Sequence, residues 1–155
     1  MLTFKDLYES YAPEVYRFAF WLTGECQEAE DITSETFIRA WTHFDSIRTE
    51  TLRAYIFAIA RNFYLGQLRK KKRQVPLHDS YPDPAPGPSQ VVESQLDVQS
   101  VQNFLRTLPE IDRTAFILRV QHELPYDEIA RVLELSLSAV KVKVHRVRKK
   151  LLALS

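Results

Sequence analysis

The chain has 155 residues, of which 45% are hydrophobic, and 21 basic residues against 20 acidic ones give it a net charge of +1. This composition excludes a disordered chain and leaves room for one domain or two small ones. Because Cys26 is the only cysteine, the chain cannot form an intramolecular disulfide, and a reducing compartment is expected. The sequence shows neither a leader pattern nor an apolar run of about 18 residues, so we expect a cytoplasmic protein with no membrane insertion of its own.

The charges are segregated along the chain. Residues 1–60 carry five bases and ten acids, whereas residues 61–78 and 135–155 each carry six Lys or Arg and no acid. A nearly neutral chain with two separate basic stretches is typical of a protein that grips a long polyanion at two places.

Helices are predicted throughout the chain. Only three glycines are present, and apolar residues recur at spacings of three and four, which predicts an all-α fold. The first half is predicted to contain helices at residues 3–22, 26–44 and 51–73. The second half is predicted to contain helices at residues 92–107, 109–121, 125–133 and 138–152. Thr3 and Ser138 are the expected N-caps of the first and last helices, and Pro109 and Pro125 suit first-turn positions.

Each helix of the first half carries an apolar stripe that we expect to face the core. The stripe of the first helix is Leu7, Tyr11, Val15, Phe18 and Leu22. That of the second is Ala29, Ile32, Phe37, Ala40, Trp41 and Phe44. That of the third is Leu52, Ile56, Ile59 and Phe63.

A proline-rich segment separates the two halves, because five of the eight prolines fall between Pro76 and Pro88. We therefore predict two small helical domains, residues 1–73 and 92–155, joined by a linker at residues 74–91. In polyproline II such a linker reaches roughly 50 Å. With two domain radii of about 12 Å each, it spans the roughly 70 Å between sites two turns of B-DNA apart.

Residues 124–141 have helix-turn-helix spacing, although the turn lacks the glycine often found there. Ile129, Ala130 and Leu133 are expected to pack against Val140 and Val144. The alternative interpretation is a basic amphipathic helix that closes an ordinary bundle.

The exposed face of the last helix is predicted to read the major groove of DNA. That face is Ser138, Val142, His145, Arg146 and Lys149, flanked by Lys141, Lys143, Arg148 and Lys150. Val142 is either a tolerated surface valine or a contact to a thymine methyl group. His145 has no second His or Cys one turn away, so no metal site and no cofactor are expected.

The third helix carries a strip of Tyr55, Ala58, Asn62, Arg69 and Arg73 beside its buried stripe. An aromatic ring, an amide and two guanidinium groups in line suit stacking on an unpaired base, hydrogen bonding to its edge and holding its backbone. The alternative is that Tyr55 is a core residue and Asn62 bonds within the fold.

Three segments together resemble a known family. Residues 28–41, residues 55–62 and the helix-turn-helix that ends at residues 145–148 are similar to bacterial sigma factors of the extracytoplasmic-function (ECF) type. Their order, their spacing and the intervening linker all match, over nearly the whole chain. The resemblance implies that the two domains are sigma domain two and sigma domain four, which join core RNA polymerase and direct it to promoter DNA. Catalysis would belong to the polymerase, so the chain itself is not expected to be an enzyme.

The resemblance also implies roles for individual residues. Asp31, Ser34, Glu35 and Trp41 would dock on the clamp helices of the β′ subunit. Asp45, Ser46, Ile47, Arg48, Tyr55, Arg61, Asn62, Arg69 and Arg73 would bind and open the minus-ten element, capturing a flipped base. Ser138, Lys141, Val142, Lys143, His145, Arg146 and Lys149 would bind the minus-thirty-five element. Other parts of the second domain would engage the β flap, and an anti-sigma factor is an expected partner.

Three residues depart from the family's usual pattern. Ser34 stands where glutamine is common, Tyr55 where tryptophan is frequent, and Val142 where a polar residue is usual. The departure at Ser34 concerns docking on core RNA polymerase. Those at Tyr55 and Val142 leave the promoter sequence undetermined.

Other functions remain as alternatives. A stand-alone helix-turn-helix regulator would bind duplex DNA tightly without polymerase, and a pure interaction protein would bind partners without opening a promoter. An enzyme is disfavoured, because the sequence has no phosphate-binding loop and no Ser-His-Asp signature.

Overall fold

The computed structural model describes residues 3–43, 52–74 and 97–154. Within these ranges the chain forms seven α-helices and no strand, so the predicted all-α class is confirmed. The helices are α1 (Phe4–Thr23), α2 (Cys26–Thr42), α3 (Leu52–Gln74), α4 (Val98–Arg106), α5 (Glu110–Val120), α6 (Tyr126–Leu133) and α7 (Leu137–Ala153). The predicted linker lies outside the described residues except for Gln74, which ends α3, and so do residues 44–51.

The caps explain where α1 begins and ends. Thr3 is the N-cap, as predicted: its Oγ1 accepts a hydrogen bond from the Asp6 backbone N–H at 3.1 Å, and its own N–H donates to the Asp6 carboxylate. This reciprocal pair satisfies two N–H groups that a helix start leaves free. Gly24 then ends α1 in the left-handed conformation, with φ at 72°.

Two predicted helix starts are wrong. The α4 helix begins at Val98 rather than residue 92, because the Asp97 side chain accepts from the Ser100 N–H and caps the helix there; residues 92–96 lie outside the described residues. The N-cap of α7 is Ser136, not Ser138, since Ser136 Oγ accepts from the Ala139 N–H at 3.1 Å. Pro109 and Pro125 occupy N-cap positions, one residue before the helices begin.

The core of the first half follows the predicted stripes with few exceptions. Eight stripe residues of α1 and α2 are buried: Leu7, Val15, Phe18, Leu22, Ala29, Ile32, Phe37 and Ala40. Tyr11, Ile59 and Phe63 are only half-buried. The inward prediction for Trp41 is wrong, because its side chain is 60% exposed at the edge of the stripe. Phe44 lies outside the described residues.

The α3 helix is buried on more than its predicted stripe. Leu52 and Ile56 are in the core as expected, and Ala54, Phe57, Ala60 and Tyr64 are buried as well. Phe57 meets the rings of Phe18 on α1 and of His122, and the Tyr64 hydroxyl accepts a hydrogen bond from Arg113 of α5. Along its whole length α3 packs against α1 and α2 from the first half and against α6 from the second. The two halves are therefore in contact, although the linker length would allow them to separate.

In the second half, α5 and α6 pack against α7. Ile129, Leu133, Val140 and Val144 are buried as the helix-turn-helix interpretation predicts, and Ala130 is half-buried. Glu134 has φ at 58° and ends α6 in the left-handed region, so it fills the turn position where glycine is often found. In the part of the chain that the structure describes, no helix is long and apolar enough to cross a membrane.

Candidate nucleic-acid and polymerase interfaces

The α7 helix presents a basic face away from the core. Val140, Val144 and Val147 are buried against the rest of the second half, so the opposite side of the helix faces outward. The exposed residues there include Ser138, Val142, His145, Arg146 and Lys149. Val142 is 48% exposed and sits on this basic face, with no acidic residue anywhere in α7. Such a face attracts phosphates and offers one apolar contact between them.

Two lysines of α7 that are predicted to bind DNA also contact residues in the rest of the second half. The Lys143 ammonium lies 3.1 Å from Asp112 Oδ1, and its side chain is only 23% exposed, so it ties α7 to α5. Lys141 Nζ lies 5.8 Å from the centre of the Tyr126 ring, which the Arg119 guanidinium also approaches, at 4.3 Å. These contacts fix α7 relative to α5 and α6, and a rigid helix-turn-helix holds its reading face in place.

Part of the α3 strip is open to solvent. Asn62, Arg69 and Arg73 are exposed, and among the described residues the Asn62 side chain has no hydrogen-bond partner. Tyr55 is half-buried and lines a groove with Ala54, Ala58, Arg131 and Val132. An exposed amide and two guanidinium groups along one helix can contact a nucleotide base and its backbone. Asp45, Ser46, Ile47 and Arg48 lie outside the described residues.

Arg61, in contrast, is engaged inside the protein. Its Nε and Nη2 donate to the two carboxylate oxygens of Glu110 at 2.7 and 2.9 Å, and its side chain is 11% exposed. Thr114 Oγ1 also donates to Glu110, at 2.7 Å. Burial raises the pKa of Glu110, but the hydrogen bonds from Arg61 and Thr114 outweigh burial and hold that pKa below its usual value. Glu110 is therefore ionised at neutral pH.

Two of the four predicted polymerase-docking residues, Ser34 and Trp41, line an apolar groove on α1 and α2. Phe4, Tyr8, Phe37, Ile38 and Trp41 line it together with Ser34. The Trp41 ring meets the Phe4 ring edge-on, with centroids 4.8 Å apart, and Ile38 is 59% exposed. Asp31 is exposed on α2, and Glu35 is half-buried and paired with Arg39 at 3.1 Å.

The groove includes residues that the sequence interpretation did not select. Phe4, Tyr8 and Ile38 were missed as parts of the docking surface. The sequence does hold a signal for Ile38, because it is a large apolar residue off the buried stripe of an acidic helix. A contiguous exposed apolar patch with a polar rim is typical of a protein-binding surface.

The chain matches known families along most of its length. Residues 7–74 match the family model of sigma-70 region 2, and residues 99–151 match that of sigma-70 region 4. It is 29% identical to the ECF RNA polymerase sigma factor SigM of Bacillus subtilis, over 99% of this chain and 95% of SigM. It is 32% identical to the ECF RNA polymerase sigma factor EcfG of Rhodopseudomonas palustris, over 92% of this chain and 79% of EcfG.

A solved structure agrees with these sequence matches. The sigma factor RpoE from Bartonella quintana, crystallised in complex with the anti-sigma factor NepR, has a TM-score of 0.81. It is 28% identical in sequence, and the match covers 97% of this chain and 95% of RpoE. The chain belongs to the sigma-70 family and is an RNA polymerase sigma factor of the ECF type, a DNA-binding transcription initiation factor. The stand-alone regulator is not favoured.

Proposed function

We propose that the two basic faces and the apolar groove divide the work of promoter recognition. Residues 1–73 form the domain that binds core RNA polymerase and opens the minus-ten element. Residues 92–155 form the domain that binds the minus-thirty-five element, and residues 74–91 join the two. The chain acts in the cytoplasm, needs no cofactor and has no catalytic activity of its own.

The observation that carries this proposal is the presence of two different surfaces on one chain. An acid-free helix face with 48% exposed Val142 among bases suits DNA, whereas the groove at Trp41 suits protein. A duplex-binding regulator needs only the first surface. A sigma factor needs both, because it must hold polymerase and promoter at the same time.

The α7 face binds the minus-thirty-five element through the major groove. Its proposed contacts are Ser138, Lys141, Val142, Lys143, His145, Arg146 and Lys149. Lys141 and Lys143 face the walls of the groove and suit phosphate contacts, although Lys143 must exchange its Asp112 partner for phosphate. Arg146 is exposed on the central line of the face and suits bidentate contact to a guanine.

The α3 face opens the minus-ten element. Its proposed contacts are Tyr55, Arg61, Asn62, Arg69 and Arg73, joined by Asp45, Ser46, Ile47 and Arg48 of the preceding loop. Taking a base out of the duplex costs a few kcal/mol. Stacking on an aromatic ring contributes about 1–3 kcal/mol per base, which offsets that cost.

The groove on α1 and α2 docks on the β′ clamp helices through Ser34 and Trp41, which line it, together with Asp31 and Glu35 of the same helix. Trp41 is exposed and pairs edge-on with the half-buried Phe4, and aromatic anchors dominate protein interfaces. Other parts of the second domain engage the β flap. We also propose an anti-sigma factor as a partner, because RpoE of Bartonella quintana was crystallised with one.

A binding titration with and without core enzyme tests this function. We expect the chain alone to bind a promoter duplex weakly and in a salt-sensitive manner. With core enzyme it should bind selectively and start RNA synthesis in vitro on a subset of a promoter library. Tight sequence-specific binding by the chain alone, unchanged by core enzyme, would instead identify a stand-alone regulator.

A further inference from the structure

An exposed valine lies at the centre of the basic face of α7. Val142 is 48% exposed, although the helix around it contains many bases and no acid. At about 100° per residue, a position two residues from both Val140 and Val144 lies on the opposite side of the helix from them. Because those two valines are fully buried in the core, Val142 points directly away from it.

The neighbouring side chains leave the methyl groups of Val142 open to solvent. The ammonium group of Lys141 lies near an aromatic ring of α6, and that of Lys143 is paired with a carboxylate of α5, so both extend to the sides of the face. Side chains on a helix lean towards its N-terminus, which places Val142 over the turn that contains Ser138. Ser138 is small and is itself exposed.

These surroundings indicate the kind of group that covers Val142. Bases on both sides of the valine attract a polyanion, and an apolar group between them is stabilised by an apolar partner. The major groove of B-DNA has this arrangement, because phosphates line its two walls and the C5 methyl group of thymine projects into it. Thymine is the base whose major-groove edge carries such a methyl group.

We propose that Val142 contacts the C5 methyl group of a thymine in the minus-thirty-five element and makes the promoter selective for thymine at that position. This inference rests on the proposed role of α7 in binding that element. Thymine is favoured over cytosine because cytosine lacks the methyl group. Adenine is disfavoured because its amino group would leave water without gaining an acceptor from valine.

Arg146 places this thymine relative to a guanine. Arg146 lies four residues after Val142, about 6 Å along the helix axis, and it suits a bidentate contact to guanine. Val142 is the sixth residue of α7, in the N-terminal part of the helix, which contacts base edges in helix-turn-helix proteins. Since successive base pairs lie about 3.4 Å apart, the thymine should lie within about two base pairs of that guanine.

Replacement of thymine by uracil tests the contact, because uracil differs from thymine only in lacking the C5 methyl group. The strongest promoter that the chain selects from the promoter library, when bound to core enzyme, is resynthesised with uracil at one thymine position at a time. Both strands of the upstream element are covered. We expect uracil at one position to weaken binding of the polymerase complex roughly threefold to tenfold, whereas the other positions should show little effect.

Val142→Ser links this effect to one side chain. It removes both methyl groups at an exposed position, so circular dichroism and core binding should not change. The polymerase complex of this variant should bind the thymine promoter roughly threefold to tenfold more weakly than the wild-type complex. It should bind the thymine and uracil duplexes within about twofold of each other, because the two changes remove the same contact.

Leu137→Ser is the matched control. Leu137 is 44% exposed on the same helix, but it lies about 140° around the helix from Val142. Its replacement removes a similar exposed apolar side chain from outside the centre of the basic face. The polymerase complex of this variant should therefore keep the full preference for thymine over uracil.

The outcomes separate this inference from the proposed function. An upstream element without thymine, the absence of a uracil effect at every position, or an equal thymine preference in Val142→Ser and the wild-type chain would each overturn the thymine contact. An equal loss of preference in Leu137→Ser and Val142→Ser would also overturn it. Failure to start RNA synthesis from any promoter of the library would overturn the proposed function and the thymine contact with it, whereas initiation without a uracil effect would overturn the contact alone.

Discussion

Gly24 is the residue at which the end of α1 meets the second half. Its φ of 72° is strained for any residue with a side chain, and an added Cβ would lie 1.7 Å from Arg106 Nη2. Gly24→Ala should therefore lower the free energy of unfolding by about 1–2 kcal/mol, from the left-handed backbone and the displaced guanidinium group. Urea denaturation followed by circular dichroism measures the change.

An Arg106→Ala background separates the two causes. Without the guanidinium group the alanine methyl has room, so Gly24→Ala should cost only its backbone strain, about 1 kcal/mol. If the cost were the same in both backgrounds, Arg106 would have no part in it.

Asn62 tests the minus-ten face at a single side chain. It is exposed on α3, and loss of its hydrogen bonds to a flipped base should slow promoter opening by about tenfold. Asn62→Ala should leave core binding intact, and a template melted in advance should rescue RNA synthesis. Gln67→Ala, which removes another amide from α3, is the control, and loss of core binding in Asn62→Ala would contradict the assigned role.

At the scale of the helices, the identity of the α7 N-cap can be tested directly. Ser136→Ala removes the hydrogen bond to the Ala139 N–H and should cost about 1 kcal/mol of unfolding free energy. Ser138→Ala should change it by only a few tenths of a kcal/mol, because Ser138 is exposed inside the helix. A larger loss of unfolding free energy in Ser138→Ala than in Ser136→Ala would show that Ser138 is the N-cap.

The α3 helix shows how far its sequence predicts its surroundings. The stripe with Leu52 and Ile56 is periodic, and a periodic stripe predicts one buried side. The second buried side, with Phe57 and Tyr64, depends on His122 and Arg113, which lie about 50 or more residues later in the chain. Local spacing holds no information on such a partner, so the sequence could not predict that side.

Trp41 is a residue whose burial cannot be predicted from helical spacing. The same spacing places it on the inward stripe and at the edge of the docking surface, and helical periodicity does not decide between them. The structure leaves it 60% exposed because Phe37 and Ala40 already fill the core there. Helix type and most core positions of α1, α2 and α7 follow from local pattern, whereas the edges of the stripes depend on packing.

At the scale of the whole molecule, the sequence predicts how far apart the halves can lie but not how they pack. The proline-rich segment sets a maximum separation. The contact between Arg61 and Glu110 joins residues that are 49 positions apart in the chain. Nothing in the charge pattern around either residue indicates the other as its partner. Arg61 belongs to a basic stretch that suggests nucleic acid, so an internal carboxylate was not expected beside it.

Acidification should weaken the contact between the two halves, because His122 is 3% exposed between Phe18 and Phe57 and the packed chain therefore binds fewer protons than the separated one. Burial lowers the pKa of His122, and Arg17 and Arg53 act in the same direction, against the hydrogen bond to Glu14. When the halves separate, the ring meets water and its pKa returns to about 6.5. The packed arrangement of the two halves is thus fully favoured above that pH and loses stability as the pH falls below it.

Energy transfer between a dye on the exposed Cys26 and a dye on an introduced Leu154→Cys, at the exposed end of α7, measures this shift. From about pH 8 to about pH 5.5, the ratio of molecules with separated halves to molecules with packed halves should rise by at most about tenfold, with His122 as the source. Glu14 and Glu110 stay ionised over this range, because hydrogen bonds from Arg53 and Arg61 outweigh burial and hold the pKa of each carboxyl below its usual value. His122→Gln should flatten the response, and a pH-independent wild-type chain would show that His122 does not become exposed on opening.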